Sequence, residues 1–304
     1  MKRVVSVSLG SSKRDHLVEV ELLGEKIKVE RIGTNGDISA ARALVRELDG
    51  KVDAFGLGGI DLYIFAGDKR YILRDAQKIA AAAKKTPVVD GSGLKNTLER
   101  RVIEHLEKEQ ILALKGQKVL LVSGVDRFGM AESLQKAGCE VTYGDLIFGL
   151  GIPIPLRSLQ SLNRVARVVA PVVSRLPFKY LYPTGKEQEQ VSGKHEKYYR
   201  DANIIAGDFH YIRRHLPETL PGKIVLTNTV TREDITLLQD RGVKALITTT
   251  PELEGRSFGT NVLESILVAL SGGKSQLDEE QYNQLLQKIN FTPRVVQFPE
   301  VRVS

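Results

Sequence analysis

From residue 117 onward, short apolar runs alternate with amphipathic stretches. That alternation constrains the fold more than any other feature of the sequence. The runs are KVLLVSG (118–124), CEVTYGD (139–145), ANIIAGD (202–208), GKIVLTNT (222–229) and VKALITTTP (243–251), with FKYLYPTG (178–185) a further candidate. Between them lie helical patterns. RFGMAESLQKAG sets Met130, Leu134 and Ala137 on one face, and TREDITLLQDRG has Thr231 as N-cap with Glu233 and Asp234 in its first turn. GTNVLESILVALSGG closes on glycines. Strands that are apolar throughout are covered on both faces, as in a parallel sheet. Six strands in two halves predict an α/β, doubly wound, Rossmann-like domain over residues 117–272.

Residues 1–97 predict a smaller mixed α/β domain. Three strand patterns follow one another, RVVSVSLG, HLVEVELLG and KIKVERIGT, the last two joined at a hairpin signal. A helix capped by Ser39, a strand VDAFGLGGID, a second hairpin YIFAGDKRYIL, a helix and a strand TPVVDGSG complete it. Residues 98–116 read as a connecting helix, and 273–304 as an amphipathic helix with a tail. A chain of 304 residues suits two domains of about 100–200 residues each.

Cys139 is the single cysteine, so no intrachain disulfide forms and a reducing cytoplasm is the expected location. The apolar run VVSVSL near the start is too short for a signal-peptide core, and no stretch approaches the roughly 18 apolar residues of a membrane span. The net charge is +7, and residues 157–200 carry nine Lys or Arg against three Glu. This segment reads as a solvated basic face able to attract a small anionic metabolite. Contact of 157–176 with a membrane surface is the minor alternative. A nucleic-acid partner is not expected, since 6% aromatic residues and no Trp supply a poor stacking platform. A homo-oligomer is compatible with this composition. The five histidines (16, 105, 195, 210 and 215) lack metal-ligand spacing, so no metal site is expected.

The loop SGVDRFG resembles the glycine fingerprint of dinucleotide sites. Gly124 and Gly129 hold its first and third places, but Asp126 stands at the second, where the pyrophosphate needs a bare backbone. A carboxylate there has the wrong charge, which Arg127 can offset. Asp145, closing the second strand, is placed to take a ribose 2′-hydroxyl and to favour NAD over NADP. Ligands of doubly wound sheets bind at the carboxyl ends of the strands. Three such ends are polar: Asp208 with His210; Asn228 between two threonines; and Thr248, Thr249 and Thr250, followed by Arg256, Ser257 and Asn261. Arg256 and Asn261 are candidate anion ligands near a helix start.

On these residues and this order of domains the chain resembles the shikimate/quinate dehydrogenase family. Ser6 and Ser8 in SVSLGSS are similar to that family's serine pair for the substrate carboxylate. Lys95 and Asn96 in LKNT are similar to its Lys and Asn for the ring hydroxyls. TTTP, with Thr248 and Thr249, lies where the family has a Thr-Pro turn near the nicotinamide. The resemblance implies an NAD- or NADP-linked oxidoreductase acting on a hydroxylated cyclic carboxylic acid. Lys95 would transfer the proton, with Asp61 or Asp90 as its partner. The alternative is a binding or regulatory protein for a small anionic metabolite, without catalysis.

Overall fold

The computed structural model describes residues 1–66, 69–177, 195–250, 252–253, 256–273 and 277–299. The chain divides into two compact units. One holds 1–97, 167–188 and 253–291; the other holds 98–166, 189–252 and 292–304.

The first unit is built on β1 (Lys2–Ser8), β2 (His16–Leu22), β3 (Glu25–Gly33), α1 (Ile38–Leu48), β4 (Ala54–Gly58), the hairpin β5 (Tyr63–Ala66) and β6 (Lys69–Ile72), α2 (Arg74–Ala80) and β7 (Val88–Val89). Its sheet runs β2-β3-β1-β4-β7, with β2 the antiparallel edge. Leu23 and Gly24 both take positive φ, 55° and 77°, so a two-residue turn joins β2 to β3. Val5, Val7, Phe55 and Leu57 meet Ala41, Val45 and Leu48 of α1 and Ala76 and Ile79 of α2 in one apolar core. The cap of α1 is Asp37 rather than Ser39: its carboxylate accepts from the Ser39 and Ala40 amides. The helix therefore starts two residues earlier than the serine suggested.

The division between units falls inside α3 (Ser92–Lys108). The second unit continues with β8 (Lys118–Leu121), α4 (Phe128–Lys136), β9 (Glu140–Tyr143), a π-helical turn (Asp145–Gly149), the first part of α5 (Leu159–Val173), α6 (Glu196–Asp201), β10 (Ile204–Gly207), α7 (Phe209–Arg214), β11 (Ile224–Thr227), α8 (Arg232–Asp240) and β12 (Ala245–Thr248); the rest of α5, from Arg167, belongs to the first unit. Short strands β13 (Glu252–Leu253) and β14 (Arg256–Ser257) pair with each other. They are followed by α9 (Thr260–Leu270), α10 (Glu279–Lys288) and β15 (Arg294–Gln297). The second sheet runs β15-β12-β11-β10-β8-β9 and is parallel except for β15. The expected α/β, doubly wound, Rossmann-like architecture is present. Its sixth strand among the described residues is β15, from the tail. The candidate strand at 178–185 lies outside the described residues. Thr231 caps α8 as expected, closing a capping box with Asp234.

One helix belongs elsewhere than its position in the sequence suggested. The strand–helix alternation assigned α9 to the second domain, yet it packs on β1, β4 and β7 of the first sheet. Backbone shape permits this. A Cβ at Gly56 would stand 2.8 Å from the Asn261 carbonyl oxygen, and one at Gly91 would stand 2.8 Å from the Asn261 nitrogen. The tail helix α10 joins the same unit, with Tyr282 and Leu286 buried. Of the basic segment, Arg157, Arg164, Arg167 and Arg175 are exposed, while 178–194 lie outside the described residues.

Candidate functional site

The glycine loop of the second unit is closed by its own side chains. Asp145 accepts hydrogen bonds from the Gly124 amide at 3.0 Å and the Val125 amide at 2.8 Å. The carboxylate read as a ribose ligand thus caps the loop instead. Its distance along the sequence suits either role, because the strand end and the loop adjoin in both. Tyr143, Leu162 and Asp145 crowd the Gly124 α-carbon, where a Cβ would meet them at 2.9–3.1 Å. Burial pushes the Asp145 carboxyl up to about 6; the two amides pull the other way without cancelling it, and the charge of Asp126 adds to the rise. A dinucleotide phosphate would need backbone N–H groups of this turn, and two of them are already satisfied. These residues do not fit the group.

Arg127 does more than offset Asp126. Its guanidinium is buried and donates to Glu99 at 2.5 Å and to Asp208 at 2.9 Å, with Asp126 at 3.5 Å. Burial alone would weaken its hold on its proton. The carboxylates of Glu99, Asp126 and Asp208 outweigh that and raise its pKa. Strand order reverses between β8 and β10, which is where a doubly wound sheet opens its ligand crevice. The Arg127–Asp208 pair bridges the loops after those two strands. Asn228 donates to the same Asp208 oxygen at 2.8 Å, and its own oxygen accepts from Phe209 and Thr227.

The remaining polar strand ends are tied in the same way. Asp208 takes the His210 backbone amide at 2.9 Å as the N-cap of α7, so this contact is a cap and not an oriented base, and the ring is exposed. Thr248 donates to the Thr250 carbonyl, the Thr249 amide to the Thr227 carbonyl, and both Thr248 and Thr249 are fully buried. Gly129 is buried in the first turn of α4. The Arg256 side chain lies outside the described residues.

The first unit gathers most of the other candidates. Its strand order reverses between β1 and β4: β3 lies on one side of β1, and β4 with β7 on the other. At the carboxyl ends of these strands, Asn261 donates to the Ser6 hydroxyl at 2.9 Å, and Ser8 accepts from Arg31 at 2.9 Å and from the Gly10 amide at 3.1 Å. Lys95 is buried in the first turn of α3, and its ammonium stands 3.5 Å from the partly exposed Asp61 carboxylate. Asn96 follows it on the same helix. Asp90 accepts from the Leu62 amide at 2.5 Å and from the Ser92 amide and hydroxyl, organising the turn between β7 and α3. The structure thus joins Ser6 with Asn261 and Lys95 with Asp61, all in the first unit. It leaves Asn228, Thr248, Thr249 and His210 in the other unit. The sequence reading missed Glu264 and Tyr282, both buried in this unit. The signal was available: VLESILVAL carries one acid inside an otherwise apolar helix face.

No curated protein matches the chain. Among solved structures it is similar to a sugar ABC transport substrate-binding protein from Bordetella parapertussis 12822, at 11% identity, 100% of this chain, 92% of the other and a TM-score of 0.41. It is similar to a glucose-galactose binding protein from Geobacillus stearothermophilus, at 10% identity, 97% of both chains and a TM-score of 0.40. It is also similar to an L-tryptophan dehydrogenase from Nostoc punctiforme, at 12% identity, 95% of this chain, 79% of the other and a TM-score of 0.38. Residues 3–90 match the model of the family described as Domain of unknown function (DUF8753). Residues 93–298, more than half of the sequence, match the model of a second family, and the chain belongs to that family, described as Domain of unknown function (DUF8754).

Proposed function

We propose that this chain is a binding protein for a small hydroxylated carboxylate, taken up on the rim of the first unit where its strand order reverses. The second unit, in this reading, keeps a dinucleotide-type sheet without holding a dinucleotide. The observation that carries it is the Lys95–Asp61 pair, in the unit whose strand β1 also carries Ser6, bonded to Asn261, and Ser8. A buried ammonium attracts a ligand carboxylate strongly, because little water screens it. A partly exposed carboxylate next to it accepts from ligand hydroxyls, and Asn96 adds an amide on the same helix. Quinate is a fitting probe: one carboxylate and several hydroxyls. Calorimetric titration should give saturable binding that Lys95→Met weakens at least tenfold, about 1.4 kcal/mol or more. Equal binding by the variant would contradict the site.

A second reading is favoured by the same pair. The resemblance to shikimate/quinate dehydrogenases implies a proton-transfer lysine with an acidic partner, and Lys95 with Asp61 has that chemistry. NAD or NADP would then supply the hydride chemistry, while Lys95 holds and moves the proton of a substrate hydroxyl and Asp61 orients it. The loop geometry around Asp145 speaks against it. Quinate-dependent reduction of NAD or NADP, followed by absorbance, would favour this reading over the first.

A further inference from the structure

Beneath the rim lies a buried acid that neither reading uses. Glu264, in α9, is 1% exposed. One of its oxygens accepts from the Gly91 amide at 2.6 Å, and the other meets the Tyr282 hydroxyl of α10 at 2.5 Å. The arrangement needs bare backbone above it. A Cβ at Gly93 would collide with the Glu264 carboxyl and stand 3.1 Å from the Tyr282 hydroxyl. The glycines of DGSGLKN therefore admit an acid to the underside of the turn that carries Asp90 and leads into Lys95. The ionisable groups acting on Glu264 come from every side of it: Asp90 at the end of β7, Lys95 from α3 and Tyr282 from α10.

We propose that Glu264 is a positioning residue coupled to Lys95 across the Asp90–Gly91 turn, so that the charge offered to an anion at the Lys95–Asp61 rim depends on whether Glu264 carries a proton. With Glu264 protonated, Lys95 keeps its 3.5 Å pair with Asp61. When that proton leaves, a further carboxylate acts on the ammonium, and an incoming carboxylate is opposed. Burial, then repulsion from Asp90, raises the Glu264 carboxyl to about 8, so the change falls in the neutral-to-alkaline range. The dependence of ligand affinity on Glu264 rests on the binding reading above; the coupling itself does not.

The test starts without ligand. Carbon NMR of the protein labelled at glutamate carboxyls, assigned by its loss in Glu264→Gln, should give one carboxyl titrating near pH 8. Lys95→Met should move that midpoint upward, while Lys95→Arg, which keeps the charge, should leave it near its original place. A carboxyl that titrates in the ordinary glutamate range, or a midpoint indifferent to the charge at 95, overturns the coupling. Should Lys95→Met fail to fold, the wild-type midpoint together with Lys95→Gln decides the same point. Quinate affinity is then measured at pH 6.5 and 9. A drop of about tenfold in the wild type that Glu264→Gln abolishes supports the proposal, and an equal drop in both proteins counts against it. If quinate binds nowhere, the binding reading fails, and the carboxyl titration still decides the coupling.

Discussion

Burial makes Asp145 and Glu264 hold their protons well above the ordinary range, at about 6 and about 8. Desolvation is the main cause in both. In the unfolded chain they return to the ordinary carboxyl values of 3.8 and 4.5. Between those limits the folded state binds more protons than the unfolded one, so stability falls as pH rises. The contribution is complete below the unfolded values and is lost as pH passes about 6 for Asp145 and about 8 for Glu264. Calorimetric melting should show Tm falling by several degrees from pH 5 to pH 9. Glu264→Gln keeps the shape and removes the charge, so its curve should be flatter above pH 6. An unchanged slope in the variant would mean that Glu264 is ionised in the folded state at neutral pH. Asp145 also shows why a motif can mislead. An acid at that distance from Gly124 can serve a ribose or the loop's own amides, and the sequence does not distinguish the two.

At the scale of elements, the strands were legible because burial on both faces writes a continuous apolar run. The hairpin β2–β3, the Thr231 cap of α8 and the amphipathic α4 were legible because each is local. The partner of α9 was not. Its apolar run announces a helix to be buried, while the surface that receives it depends on glycines about 170–205 residues earlier, Gly56 and Gly91. Those glycines read equally as tight turns. They carry a prediction. Gly91 has φ 95° and an α-carbon pressed against the Asn261 backbone. Gly91→Ala should cost more than about 1 kcal/mol, from strain and displacement of α9 together. Urea unfolding would register it, and a variant as stable as the parent would refute close packing at this turn. The pairing of Lys95 with Asp61 was partly legible, since the resemblance offered Asp61 and Asp90 as alternatives and the ion pair supports Asp61. Glu264 and Tyr282 went unread, because a lone acid in an apolar helix marks a buried polar group without naming its partners.

At the scale of the whole molecule, the two units treat the same architectural position differently. Each parallel sheet reverses its strand order once. In the second unit the reversal is bridged by Arg127 with Glu99 and Asp208, and the loop beside it is capped by Asp145. In the first unit the reversal carries Lys95 and Asp61 at a looser 3.5 Å, with Asp61 reaching solvent. In the proposed reading, the doubly wound sheet of the second unit persists with its dinucleotide position filled by its own side chains. Isothermal titration of the intact protein with NAD tests it most directly. No saturable heat is expected up to millimolar NAD, in the presence or absence of quinate. Saturable binding in the micromolar range, weakened by Asp145→Asn, would contradict it and would return Asp145 to the ribose.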